Sequence, residues 1–280
     1  MELSEIYQKH CRPLDPIPTG LKHSLPYQAD IKAVIFDIYG TLFITGCGDI
    51  SISSASQKEE VLRSILADFF DVRIKGNEFL TENLISVISR EHRHSNEKGV
   101  LCPEVEVRDL WSEILNDYNL SSSEIEQLAT HYEAMVNPTW PMPGLEATLS
   151  HLVQKEVKLG IISNAQFYTP YLFDSFLGKS VEELGFDPNL SLYSYQHLQA
   201  KPGVYLFQKL AEALEAKGIL PHQTLYVGND MRNDITPAHS VGFTSVLFAG
   251  DMRSLRGRAG ENLPAPDAVV TELIQILDLF

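Results

Sequence analysis

The chain has 280 residues, 44% of them apolar, enough for a sizeable core in one large unit or two smaller ones. Its 22 basic and 37 acidic residues give a formal charge of −15. That charge excludes broad binding to nucleic acid or to an anionic membrane, both of which need a positive footprint. No apolar run reaches the ~18 residues of a membrane span, and Met1-Glu2-Leu3-Ser4-Glu5 lacks the basic and apolar regions of a signal peptide. A cytoplasmic location is therefore expected. Cys11, Cys47 and Cys102 are scattered and odd in number, so neither a disulfide framework nor a zinc cluster is expected.

Residues 1–30 are polar and carry Pro13, Pro16, Pro18 and Pro26, so they read as an irregular extension with one short helix at its start. Ile31 to Asp37 is a short apolar run ending in a carboxylate and a glycine turn, Asp37-Ile38-Tyr39-Gly40-Thr41. Such a run predicts a buried strand of a parallel sheet, whose carboxyl end is where open α/β sheets place their chemistry. Phe43 to Asp49 reads as a turn or flap around Gly46 and Gly48.

From Ile52 to Trp140 the spacing is helical, as in Val61, Leu62, Ile65, Leu66 and Phe69, and again in Leu110, Trp111, Ile114 and Leu115. Pro138, Pro141 and Pro143 close this stretch. Strands and helices then alternate. Strands are predicted at Val157–Ile162, Leu190–Tyr195, Thr224–Val227, Phe243–Phe248 and Asp267–Val270. Helices are predicted at Leu145–Lys155, Pro170–Phe176, Pro202–Ala216, Asp234–Val241 and Glu272–Leu279. The class is α/β: a doubly wound parallel sheet covered on both faces, with an all-helical insertion. The expected division is an extension at 1–30, an α/β core at 31–45 and 142–280, and a helical cap at 46–141.

Three segments join Asp37. One strand ends in Ser163-Asn164, Lys201-Pro202 precedes a helix, and a third strand runs into Gly228-Asn229-Asp230-Met231-Arg232-Asn233-Asp234. Acid, hydroxyl, lysine and acids in this order resemble the haloacid dehalogenase (HAD) superfamily of hydrolases, from Ala33 to about Leu247. The resemblance implies Asp37 as nucleophile, forming a covalent ester that water later cleaves. It implies Lys201 as the compensating cation and Ser163 as a hydrogen-bond donor to a phosphoryl or carboxylate oxygen. Thr41, Ser163, Asn164 and Lys201 would bind the substrate's oxygens. Magnesium would be held by Asp37, the backbone carbonyl of Tyr39, Asp230 and Asp234. Many relatives carry an acid directly after the glycine, where this chain has Asn229. Either Asp230 takes that role through a shifted turn or Asn229 fills it, and the charge of Asp230 favours the former.

Tyr39 departs from the phosphatases of the superfamily, which carry there an aspartate that protonates the leaving alcohol and later activates water. A tyrosine, with a free pKa of about 10, suits neither task at neutral pH. The L-2-haloacid dehalogenases carry tyrosine there, and halide leaves without a proton. They use no metal, and they place a tyrosine shortly after the lysine, where this chain has Phe207 with Tyr205 nearby. Arg63 and Arg73 are candidates for their substrate-binding arginine.

The leading expectation is a magnesium-dependent phosphatase of a small phosphorylated metabolite. The alternatives are a metal-independent 2-haloacid dehalogenase and a phosphate-ester binding protein with weakened turnover. In the insertion, His92 and His94 read as a polar helix face, Arg90, Arg93 and Arg108 as possible anion contacts, and Trp111 and Trp140 as packing.

Overall fold

The structure, a computed structural model, describes residues 1–46, 55–74 and 79–280. Cys47 and the flap glycine Gly48 lie outside the described residues. Six parallel strands form the central sheet: β1 (Ala33–Phe36), β4 (Lys158–Ser163), β5 (Phe186–Tyr193), β6 (Thr224–Gly228), β7 (Thr244–Phe248) and β8 (Ala268–Val270), in the order β5-β4-β1-β6-β7-β8. All four residues of β1 are buried, as expected for a strand covered on both faces.

Alternation sorts the side chains of β1. Val34 and Phe36 join the cluster under α6 (Leu145–Gln154), α7 (Tyr171–Leu177) and the closing 3₁₀ segment Leu273–Leu279. Ala33 and Ile35 face the opposite cluster, built with Leu206, Phe207 and Leu210 of α9 (Tyr205–Glu215) and Ala238 of α10 (Thr236–Ser240).

A two-stranded antiparallel ribbon pairs β2 (Phe43–Thr45) with β3 (Thr139–Pro141). The reading of a flap after Leu42 and of bare proline breakers near Trp140 is corrected here. Two three-residue strands flanked by glycine and proline carry no periodicity of their own, and only their mutual pairing makes them strands. Between them in sequence run α2 (Ala55–Phe70), α3 (Leu80–Glu97), α4 (Val107–Ile114) and α5 (Ser122–Val136). Their apolar stripes, including Leu62, Ile65, Trp111 and Leu128, are continuous with the cluster on the Val34 face.

The extension starts with a helix, α1 (Leu3–His10), that packs against both α5 and α7. Ile6 and Tyr7 are fully buried. Gln8 donates to the Ser175 carbonyl (2.8 Å) and the Ser175 hydroxyl to the Ser4 carbonyl (2.8 Å). On the α5 side a His10–His131 bond (2.7 Å) closes the contact.

Smaller differences from the sequence reading have local causes. The second strand in the chain's alternating half, β5, begins at Phe186 and gives way at Ser194 to a short helix, α8 (Ser194–His197). The segment after β6 opens with a π-helical turn, Met231–Ile235, before α10. No helix among the described residues is long and apolar enough to cross a membrane.

Candidate active site

Asp37 leaves β1 with its N–H donating to the Val227 carbonyl (2.9 Å), so the sheet ladder fixes its backbone. The chain then turns sharply. Thr41, Leu42 and Phe43 all direct their N–H groups to the Ile38 carbonyl. Gly40 has φ +81°, and a Cβ there would stand 2.5 Å from the Asn229 amide nitrogen and 2.5 Å from the Ser254 Cβ. Glycine is thus required both for the left-handed backbone and for this close approach.

Side chains from four strand ends and turns converge on Asp37. Its Oδ1 accepts from the Ser163 hydroxyl (2.8 Å) and from the Lys201 ammonium (2.8 Å). Lys201 also donates to Asp234 Oδ1 (2.6 Å) and the Tyr226 hydroxyl (3.2 Å). Asp37, Lys201 and Asp234 are 6%, 6% and 1% exposed, so these charges compensate one another with little help from water. Burial alone would push the Lys201 ammonium down, but Asp234 and Asp37 outweigh it and its pKa is raised. Burial pushes the Asp234 carboxyl up, against the pull of Lys201. Among the described residues no hydrogen bond falls on Asp37 Oδ2. Asp37 lines a cavity of 430 Å³.

Asn164 positions Lys201. Its Oδ1 accepts the Lys201 N–H (2.7 Å), and its Nδ2 donates to the Lys201 carbonyl (3.1 Å). This side chain lines the cavity, but both ends of its amide are spent on the lysine backbone. Thr41 departs from expectation: fully buried, it does not line the cavity, and its hydroxyl donates to Asn229 Oδ1 at 3.4 Å.

The acids after β6 also behave differently from the sequence reading. Asp230 Oδ2 is paired with the Arg258 guanidinium (2.6 Å). Asp230 Oδ1 accepts the N–H groups of Arg232 (2.8 Å) and Asn233 (3.2 Å) and the Arg258 Nε (3.2 Å). Burial raises the Asp230 carboxyl, but Arg258 and the two N–H groups outweigh this and leave it lowered. The other oxygen of Asp234, Oδ2, accepts the Asp230 N–H (2.9 Å), which folds the turn back on itself. Gly228 makes room for this, since a Cβ there would run into the Asp234 carboxyl group.

These commitments test the expected magnesium set. No group of three or more His, Cys, Asp or Glu side chains among the described residues is arranged to hold an ion. Every carboxylate oxygen of Asp230 and Asp234 already accepts a hydrogen bond. Asn229 Oδ1 carries one long hydrogen bond, and Asp37 and Asn229 both line the cavity. The Tyr39 carbonyl takes no backbone hydrogen bond among the described residues. Magnesium commonly takes one or two protein carboxylates and completes its octahedron with water and substrate phosphate. The donors fit an ion held in that sparse manner, with Asn229 rather than Asp230 beside Asp37.

Several cavity residues carried no signal in the sequence. Arg256 and Arg258 come from the segment after β7, where Arg256 N–H donates to the Asn229 carbonyl (3.0 Å). Glu104, Glu133, Asn137 and Tyr168 come from the helical insertion and the loop after β4. The expected arginines are elsewhere: Arg63, Arg73, Arg90, Arg93 and Arg108 do not line the cavity, and Arg63, Arg90 and Arg108 pair with Glu59, Glu113 and Glu106. Tyr205 is likewise absent from it, 38% exposed on α9. Trp111 and Trp140 pack against Tyr132 and Phe176.

A family described as haloacid dehalogenase-like hydrolase matches residues 31–242, most of the chain. The chain belongs to this family. Among solved structures, a 2-haloacid dehalogenase from Pseudomonas syringae pv. Tomato is 24% identical, with a TM-score of 0.56, over 89% of this chain and 97% of its own. A HAD phosphatase from Thermococcus onnurineus is 21% identical, with a TM-score of 0.51, over 88% and 96%. An L-2-haloacid dehalogenase from Xanthobacter autotrophicus is 20% identical, with a TM-score of 0.50, over 88% and 96%. At these identities the likeness shows the fold that this HAD hydrolase shares with them. No curated protein matches the sequence.

Proposed function

We propose that this HAD hydrolase is a magnesium-assisted phosphatase of small phosphorylated metabolites that works through an aspartyl-phosphate on Asp37. The asymmetry of Asp37 carries the reading: Ser163 and Lys201 hold Oδ1, and Oδ2 is left for attack. Fixing one oxygen orients the other, so little reorganisation remains when a phosphorus atom arrives in line.

Lys201 supplies positive charge at the nucleophile, and Asp234 and Asn164 position it. Asp37, Asn229 and the Tyr39 carbonyl would hold magnesium, which when bound polarises the phosphoryl group and screens it from the carboxylate. The helical insertion would serve as a lid over the strand ends, excluding water when closed. The cavity lining favours an oxygen-rich substrate. Asn137, Asn233 and Arg256 line the cavity, and a phosphate monoester offers them more oxygens than a 2-haloacid, which carries one carboxylate beside a short hydrocarbon.

One observation favours dehalogenation instead. Tyr39 lies at the acid position with its hydroxyl 3.1 Å from the Thr169 hydroxyl, and burial raises its pKa well above the ordinary tyrosine value. A halide needs no proton from such a group. Incubation with p-nitrophenyl phosphate, with and without chelator, and then with 2-chloropropionate separates the readings. Chelator-sensitive phosphate release is the expected result. Chloride release indifferent to chelator would establish the dehalogenase, and binding of phosphate esters without product would establish a binding protein.

A further inference from the structure

A phosphatase with tyrosine at position 39 needs another source of the proton that the leaving alcohol must take up. Two half-buried carboxyl groups outside the Asp37 cluster line the same cavity, Glu104 and Glu133. Glu104 is employed elsewhere. It accepts the Ser194 hydroxyl (2.7 Å) and its own neighbour's N–H, Val105 (2.9 Å), beside the bridge between Pro103 and Gln199. These contacts latch the insertion to the segment that leads to Lys201.

Glu133 is placed differently. It stands on α5 with Oε1 accepting from the Asn137 amide (2.9 Å) and Oε2 from the Tyr168 hydroxyl (3.2 Å). Both partners are neutral and both line the cavity. The Tyr39 hydroxyl is within electrostatic reach of both Glu133 and Asp37. The other groups that face Glu133 are Tyr7 and Cys11 from α1, Lys58 from α2, Tyr132 beside it on α5, and Tyr168. Of these only Lys58 is a cation, and its influence on Glu133 is smaller than that of burial or of either hydrogen bond. The surroundings thus favour the neutral acid.

We propose, building on the phosphatase reading, that Glu133 is the general acid and base of this enzyme, delivered by the helical insertion in place of the missing strand-end aspartate. As Asp37 Oδ2 bonds to phosphorus, the bond from phosphorus to the alcohol oxygen breaks, and Glu133 gives that oxygen its proton. In the second step the Glu133 carboxylate takes a proton from water. The water oxygen bonds to phosphorus, the bond to Asp37 breaks, and phosphate leaves with Glu133 protonated again. Lys201 sits against Asp37, whereas Glu133 takes its hydrogen bonds from the neutral Asn137 and Tyr168, and burial raises it.

The test compares leaving groups. Single-turnover phosphoenzyme formation is measured for wild type and Glu133→Gln with p-nitrophenyl phosphate, whose phenolate leaves without a proton, and with glycerol 3-phosphate, whose alkoxide does not. Gln keeps the acceptor for Tyr168, and thermal melting checks the fold. Glu133→Gln should slow transfer from glycerol phosphate by about 100-fold or more, and from p-nitrophenyl phosphate by less than about tenfold. The wild-type rate on glycerol phosphate should fall as pH rises through the Glu133 pKa, this limb should vanish in Glu133→Gln, and Glu133→Asp should restore part of the rate. Equal slowing of both substrates, or none, overturns the role of Glu133 and leaves the phosphatase intact. A wild type that transfers phosphate from neither substrate overturns both readings.

Discussion

Two walls of one cavity treat the carboxyl group in opposite ways. On the sheet side, Asp37 and Asp234 share the Lys201 ammonium, and Asp230 is paired with Arg258. On the side of the helical insertion, Glu133 accepts from the Tyr168 hydroxyl and the Asn137 amide, and burial raises its pKa. The residue chemistry is nearly the same. What differs is whether a cation accompanies the acid out of water, and that decides whether the group is a charged nucleophile or a proton donor. On the proposed reading, the acid on the opposite wall takes the task that tyrosine at position 39 cannot perform.

The sheet side breaks most dramatically. Asp37→Asn should lower turnover by about 10⁴-fold or more and eliminate any trapped phosphoenzyme, with little change in melting temperature, because amide and acid have the same shape. Lys201→Met should cost about 3–5 kcal/mol in denaturant unfolding, since it leaves Asp37 and Asp234 buried beside each other without a cation. Adding Asp234→Asn to that variant should recover part of the loss. A Lys201→Met protein as stable as wild type would mean that these charges are not compensating one another.

The insertion side responds more quietly. His131 sits 1% exposed beneath α1, and burial, followed by the charge of His10, lowers its pKa to about 4. The unfolded chain accepts a proton near the ordinary value of 6.5 and the folded chain does not. The stability at stake is therefore complete above pH 6.5 and is lost as pH falls toward 4, by about 3 kcal/mol at most. His131→Gln should flatten that slope in melts taken between these values. Tyr7→Phe should have the smallest effect. The Tyr7 hydroxyl is buried near that of Tyr39 and has no hydrogen bond of ordinary length among the described residues, so its removal should stabilise the fold, by up to about 1 kcal/mol. A loss of stability instead would show that the hydroxyl is bonded in solution.

Much of the sheet side was legible in the chain. Ala33–Phe36, Lys158–Ser163 and Thr224–Gly228 are apolar runs long enough to read as buried strands, and polar residues at their ends stand out against them. Asp37 and Ser163 are legible this way and Lys201 from the Lys-Pro pair ahead of a helix, and the structure brings them together with Asp234. The insertion side was not legible. Glu133 lies on a helix with several other acids, and nothing local marks it from Glu124 or Glu126. Tyr7 belongs to a polar extension whose docking depends on surfaces of α5 and α7 far along the chain. The ribbon of β2 and β3 pairs residues nearly a hundred positions apart, in runs too short to show a period.

The sequence by itself determined the alternating architecture, the family, and the strand-end residues that surround Asp37. Those depend on hydrophobic periodicity and on backbone turns, which act over a few residues. Tertiary structure alone decided which acids are charged and which oxygens stay open. Arg258 reaches back to close Asp230, Lys201 divides itself between Asp37 and Asp234, and Glu133 takes its hydrogen bonds from neutral partners. Charge state depends on the distance to a partner and on the exclusion of water, and both are set by parts of the chain that meet only when it folds.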